Sequence, residues 1–284
     1  DFWRAGAEAT ESTKGINWQT IIFIAGMMIM VEGMALSGFF SWLCLTIAKA
    51  VRYNTTKIFI MFMILAFVLS MFIDSITVIL FLAAITITQS KLLQFDPIPV
   101  IIAEIFCSNL GGSSTMCGDP PNIIIGTALH YTFTDFLTNT GVIAIICLVL
   151  MIFFFYMCFR IKLGKRNLSE EEIEKMPTPQ SAITNKRAFI ISTVIFLCAV
   201  ILLVTHGQTG LTVSTIGIIA AAATCITAGK KSKAILRRVD YPTLVFFTGL
   251  FVVVGGLEET GILELIATFI HTISGGKITL ILII

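Results

Sequence analysis

Apolar positions along this chain come mostly in long runs, and alternating patterns are missing. A continuous apolar run of about 20 residues is the length of one helix across a bilayer. A first run covers 18–36, and clean runs follow at 140–159, 188–205, 211–228 and 241–257. Two shorter stretches, 39–51 and 259–273, are amphipathic. Two long stretches are interrupted. Residues 58–90 are broken by Asp74-Ser75, and residues 97–129 by Gly111-Gly112-Ser113-Ser114-Thr115 and Gly118-Asp119-Pro120-Pro121-Asn122. The longest hydrophilic segment, 160–187, carries Glu170, Glu171, Glu172, Glu174 and two prolines, and it reads as a solvated loop between two halves. The pattern predicts an all-α polytopic membrane protein.

Composition agrees with the pattern. Hydrophobic residues make up 56% of the chain and charged residues 13%, about half the roughly 25% of a soluble domain. Mean hydropathy is +0.95. A soluble fold, a disordered chain and a nucleic-acid-binding module are excluded, and the lipid bilayer is the expected surrounding. At roughly 20 residues per span, the length allows about seven or eight passes. The seven cysteines fall mostly inside apolar runs, with no CxxC pair and no zinc-ligand spacing. His130, His206 and His271 are scattered near segment ends, where interfacial positions are expected.

Charge placement decides how 58–90 runs. If it crossed once, the basic clusters before and after it would fall on opposite sides. If it enters, turns at Asp74 and returns, then Lys49, Arg52, Lys57 and Lys91 share a side with the basic residues of 160–187 and 230–238. That places 16 of the 19 basic residues together, with only Arg4, Lys14 and Lys277 opposite. Basic residues concentrate on the cytoplasmic side, so 58–90 is expected to be a re-entrant helical hairpin opening to the cytoplasm. Segments then follow as an extracytoplasmic segment 1–16, a scaffold helix with an amphipathic arm 17–57, the hairpin and broken helix 58–137, a membrane helix 138–162, a cytoplasmic loop 163–186, and the start of a second repeat, 187–284.

That repeat is legible directly. At a shift of 223 residues, Thr20, Phe23, Gly26, Val31, Gly33, Gly38 and Ile47 match Thr243, Phe246, Gly249, Val254, Gly256, Gly261 and Ile270. An amphipathic stretch follows each copy. By the charge-based topology the copies cross in opposite directions, the inverted-repeat signature of transporters.

Backbone that leaves the helix at membrane depth must find partners or line a cavity. The two interruptions are therefore the candidate sites. At Asp74-Ser75-Ile76-Thr77, helix ends expose N–H and C=O groups, suited to an anion at the helix N-terminus or a cation at carbonyls plus Asp74. From Ser108 to Asn122, glycines and two prolines split a helix, and hydroxyls, an amide and a carboxylate cluster at the split. Each residue also has a plainer reading. Asp74 could be a surface turn, Asp119 a loop residue, and Ser113, Ser114 and Thr115 small packing residues. Glu104 reads equally as a proton site or as a residue facing a cytoplasmic vestibule. Glu32, Glu258 and Glu259 read as interfacial. No histidine lies near the serines and no metal motif such as HExxH occurs, so an intramembrane enzyme is not expected.

The string Phe72-Ile73-Asp74-Ser75-Ile76-Thr77-Val78 resembles the first hairpin tip of the ion transporter superfamily, which holds arsenite permeases, NhaD-type sodium/proton antiporters and sodium-coupled dicarboxylate and citrate transporters. The string from Asn109 to Asn122, above all Gly118-Asp119-Pro120-Pro121-Asn122, is most similar to the branch of the melanosomal P protein. The resemblance runs from about residue 17 to the end. It implies a scaffold and a mobile transport domain moving as an elevator, with no cofactor beyond sodium or a proton as coupling ion. It places Asp74, Ser75 and Thr77 opposite Asn109, Gly111, Gly112 and Ser113 across an ion site, with Asp119 and Asn122 lining the same pocket. Sodium would sit at Asp74, Ser75, Asn109 and Gly111. Relatives carry Asp-Asn or Ser-Asn at the tip where this chain has Asp74-Ser75, and a serine hydroxyl is a weaker ligand than an amide oxygen. They also carry a second hairpin, which would begin about where this chain stops. The chain starts at Asp1 and stops inside an apolar run, and a piece of a longer transporter is expected.

These readings converge on a secondary active transporter of an inorganic ion or small organic anion in the plasma (inner) membrane, driven by sodium or protons. Sodium/proton antiport, a passive channel and an inactive half-transporter subunit are the alternatives. The resemblance is compatible with a homodimer. Asp74 and Asp119 are the groups expected to bind the coupling cation or carry the proton.

Overall fold

The computed structural model describes residues 16–129, 131–160, 170–174 and 176–274. Residues 1–15 of the expected extracytoplasmic segment, part of the basic loop after 160, and Lys277 lie outside the described residues. The described chain is helical, with no strand among those residues. In order, the helices are α1 (Trp18–Ser37), α2 (Phe39–Ala50), α3 (Thr55–Ser70), α4 (Ser75–Leu93), α5 (Pro97–Ser113), α6 (Pro120–Leu129), α7 (Phe133–Phe159), α8 (Glu170–Glu174), α9 (Lys186–Thr209), α10 (Val213–Ala228), α11 (Ser232–Arg238), α12 (Tyr241–Glu259) and α13 (Ile262–Ser274).

Short polar side chains start these helices by satisfying orphan N–H groups. Asn54 accepts from the Lys57 N–H at 3.1 Å, and Asp96 accepts from Ile98 at 3.0 Å ahead of Pro97. Thr132 and Asp135 form a reciprocal capping box at α7. Asn185 and Thr212 cap α9 and α10.

Among the described residues, six helical stretches are long and apolar enough to cross a membrane: Trp18–Ser37, Ser75–Leu93, Phe133–Phe159, Lys186–Thr209, Val213–Arg238 and Tyr241–Glu259. That is fewer than the seven or eight that length alone allows. The difference lies at the interruptions, which cut α3, α5 and α6 to 16, 17 and 10 residues. Large apolar side chains stay on the outside, as lipid permits. Along α7, Ile143, Ile146, Leu150 and Phe153 are all exposed.

The described residues form two compact units, one within 22–239 and one combining the start of the chain to 21 with 240 onwards. In the larger unit, α5 is the centre. It packs against α3, α4 and α7, and α9 packs against α10. Phe59, Phe62, Met63, Ala103 and Cys107 are fully buried at this centre. In the smaller unit, α12 packs against α13.

The two segments expected to be repeat copies share a local build. Asn17 Oδ1 accepts from the Thr20 N–H at 3.1 Å, and Asp240, at the matching position, accepts from the Thr243 N–H at 3.2 Å. A helix of 20 residues follows in the first copy and of 19 in the second. Each then turns at a glycine with positive φ, Gly38 at 90° and Gly261 at 74°, into an amphipathic helix.

One stretch departs from expectation. Part of the hydrophilic loop is packed, not solvated throughout. Pro179 is buried in a 3₁₀ turn, Pro179–Ala182, that lies on α2. The Thr184 N–H donates to the Ser37 carbonyl at 3.2 Å, and the Tyr53 hydroxyl donates to the Pro177 carbonyl at 3.3 Å. Gly38 makes this possible, since a Cβ there would overlap the Ala182 carbonyl. Hydrophilic composition concealed a strap anchored by two prolines and one glycine.

Candidate functional site

The first interruption becomes a four-residue break between α3 and α4. Apolar α3 ends at Ser70, and α4 starts when the Asp74 carboxylate accepts from the Ile76 N–H at 3.1 Å and the Thr77 N–H at 3.0 Å. The Thr77 hydroxyl also donates to Asp74. The Asp74 charge thus sits at the positive end of α4, where the helix dipole favours it.

The second interruption separates α5 from α6, with Pro120 at the first position of α6. Inside this break the Asn122 side-chain amide donates to the carbonyls of Gly112 and Thr115, at 3.0 and 2.8 Å. It supplies donors to one carbonyl in the last turn of α5 and one inside the break. The Ser114 hydroxyl donates back to the Gly111 carbonyl at 2.5 Å.

The two breaks meet. Asp119 accepts from the Ser75 hydroxyl at 2.8 Å and from the Ser75 N–H at 3.4 Å. The Thr115 hydroxyl donates to the Met71 carbonyl at 2.5 Å. Gly111 lies directly on the Phe67 backbone. The pairs Phe67–Gly111, Met71–Thr115 and Ser75–Asp119 share one offset of 44 residues. A constant offset means that 67–75 and 111–119 run side by side in the same direction. Two glycines allow it. A Cβ on Gly111 would overlap the Phe67 carbonyl, and one on Gly112 would occupy the space of the Asp119 carboxylate.

A small, partly open pocket lies beside the junction. Asp74 and Thr77 line it from α4, Gly118 and Pro120 from the second break, and Phe23 and Met27 from α1. Asp74 is the one charged side chain among the described residues lining it. Asp119 lies behind this wall, between Ser75 and Gly112.

The expected site residues therefore divide. Asp74, Ser75, Thr77, Gly111, Gly112, Ser114, Thr115, Asp119 and Asn122 are gathered at the junction. Asn109 and Ser113 lie on an exposed face of α5, one turn apart, and the Ser113 hydroxyl is turned back to the Leu110 carbonyl at 3.0 Å. Two residues absent from the expected set brace the junction. The hydroxyls of Ser70 and Ser108 are 2.6 Å apart, and Ser108 donates to the Ser75 carbonyl at 3.0 Å. The available signal was Ser70, a hydroxyl closing the apolar run that follows Lys57 in α3, one turn before Asp74. Among the described residues no group of three His, Cys, Asp or Glu side chains converges on a metal position. Any ion held here would rest on carboxylate, hydroxyl and backbone oxygens, the ligands that hard cations take.

The family model described as citrate transporter matches residues 5–284. The chain belongs to the citrate transporter family. An uncharacterized transporter of Mycobacterium tuberculosis is 28% identical over 271 residues, covering 93% of this chain and 61% of the relative. The magnetosome protein MamN of Magnetospirillum gryphiswaldense is 28% identical over 269 residues, with the same coverage of both chains. The human P protein is 36% identical over 148 residues, 51% of this chain and 18% of that protein. The chain spans 61% of the length of the curated transporters it matches. Membership in this family and the six apolar helices make it an integral membrane protein of a transporter family.

Proposed function

We propose that this chain forms one ion- and substrate-binding half of a secondary active transporter in the plasma (inner) membrane. It moves an inorganic ion or a small organic anion and is driven by a sodium or proton gradient. In this reading α3 and α4 are the arms of a re-entrant hairpin opening to the cytoplasm, and α5 and α6 are halves of a discontinuous membrane helix. The segments α1–α2 and α12–α13 are copies of an inverted repeat, and the hairpin with the broken helix moves as an elevator against the scaffold.

The observation that carries the proposal is the contact of Asp119 with Ser75 across the two breaks. Irregular backbone at membrane depth is tolerated where it lines a binding cavity, and ionisable residues there are costly and functional. The energetics suit a site that must let go. A side-chain hydrogen bond inside a membrane protein is worth on average about 0.6 kcal/mol, so the junction can loosen when its guest leaves.

The cavity's charge supports a cation as the guest of this half, because Asp74 is its charged lining residue. An organic anion would need that cation, or groups elsewhere in the full transporter, to offset Asp74. The same acidic, cation-free lining favours sodium/proton antiport as the second reading. In antiport, sodium efflux would persist with no organic anion present.

Asp119→Asn keeps an oxygen that can accept from Ser75 and removes the charge, so the fold should persist. In the full-length protein reconstituted in vesicles, it is expected to abolish uptake of radiolabelled citrate and exchange of sodium under sodium or proton gradients. Undiminished gradient-driven flux in this variant would remove Asp119 from the mechanism.

A further inference from the structure

A second polar site lies between α4 and α5, away from the cavity. Glu104, in the middle of α5, is fully buried. Its Oε1 accepts from the Thr86 hydroxyl of α4 at 2.7 Å, while Oε2 is buried with no partner. One turn along α4 from Thr86, Gln89 is 3% exposed, and neither its Oε1 nor its Nε2 has a partner. Three orphaned polar atoms thus belong to residues on two helices packed against each other. Native structures rarely leave buried polar groups unpaired, and each case needs a physical reason.

The charge surroundings narrow that reason. Of the ionisable groups on the surrounding helices, the thiols of Cys44 on α2 and Cys107 on α5 itself are buried, and neither is positive. Lys49 on α2, Lys57 on α3 and Lys91 on α4 are exposed, as are Asp135, Tyr156 and Cys158 on α7, where Cys147 is intermediate. No cation among these faces the carboxyl group to offset a negative charge. An unpaired carboxylate sealed from water is among the costliest groups a protein can hold. A bound proton removes that charge without a counter-ion and gives Oε2 a hydrogen to donate. A burial this complete also excludes the vestibule-facing alternative for Glu104.

We propose that Glu104 is a proton-binding site of the transport half, distinct from the junction of Asp74 and Asp119, and that its proton is one the transporter couples to. The proton comes from the aqueous phase of higher proton activity, binds Oε2, and leaves to the opposite phase. Gln89, with an orphaned acceptor and an orphaned donor, is the group placed to hold and orient a water that carries the proton once the α4–α5 seam is hydrated. The coupling half of this inference rests on the transporter reading above, whereas protonation of Glu104 does not.

The test separates the two. Infrared spectra of the full-length protein in lipid at neutral pH should contain a protonated-carboxylic-acid C=O band that Glu104→Gln removes and Asp119→Asn leaves in place. If Glu104→Gln fails to fold, Glu104→Asp should shift that band in frequency. A band unaffected by either Glu104 variant overturns the proposal. In vesicles, Glu104→Gln should retain sodium-driven citrate uptake and lose its stimulation by an inward proton gradient. Full proton stimulation in that variant overturns the coupling role. Wild-type vesicles that move neither citrate nor sodium, with the infrared band still present and assigned to Glu104, would refute the transporter reading and leave the proton site standing.

Discussion

Asp119 and Gly112 show how single residues make the junction. The carboxylate occupies the volume a Gly112 side chain would fill, and from there it reaches Ser75 on the other break. Gly111 does the same for the backbone, letting α5 rest on Phe67. Gly111→Ala would push a methyl group into that carbonyl. Overpacking of this kind costs about 1–3 kcal/mol, so the melting temperature of the full-length protein in detergent should fall while its helix content stays the same. An unchanged melting temperature would mean that the close approach is not needed. Much of this chemistry was legible in sequence, because a carboxylate, a serine and adjacent glycines inside apolar runs stand out. Helical phase was not. Asn109 and Ser113 have the right chemistry yet fall on the exposed face of α5, whereas Ser70 and Ser108, less distinctive in sequence, point inward.

Among the elements, α3, α4 and α5 carry the argument. The offset of 44 residues lays α3 and α5 side by side in one direction, and α4 returns to α5 through three residues, 94–96. Two helices joined so closely and packed together are antiparallel. Lys57 at the start of α3 and Lys91 at the end of α4 should then reach the same side of the membrane, although α4 alone is long enough to cross. Single cysteines at these positions, Lys57→Cys and Lys91→Cys, are expected to react with a membrane-impermeant maleimide from the cytoplasmic face only. Labelling from opposite faces would refute the hairpin. The interruption at Asp74 was plain in sequence, and its direction rested on counting lysines and arginines, a long-range bias independent of local geometry.

For the molecule as a whole, the basic clusters predict one orientation. By that orientation the strap around Pro179 and the start of α9 would lie on the basic side, and the far end of α9 on the other. Gln180 and Thr209 are exposed at these two places. In whole cells Thr209→Cys should be labelled by the impermeant reagent and Gln180→Cys only after the cells are opened. The reverse pattern would invert the topology, and labelling of both in intact cells would place α9 on the surface instead of across the membrane. α1–α2 and α12–α13 share the capping Asn17 and Asp240 and a glycine at positive φ, the local likeness expected of the proposed repeat.

Membrane residence, the number and length of apolar runs and the places where helices must stop follow from local composition and spacing. These are properties of neighbouring residues, and a bilayer reads them span by span. Contacts between residues 44 apart decided which interruptions touch, and side-chain packing between α4 and α5 decided that Glu104 is sealed instead of facing water. The packed strap under Gly38 came from the same source. Those outcomes depend on how helices pair, and pairing is settled by fit between surfaces that are distant in the chain.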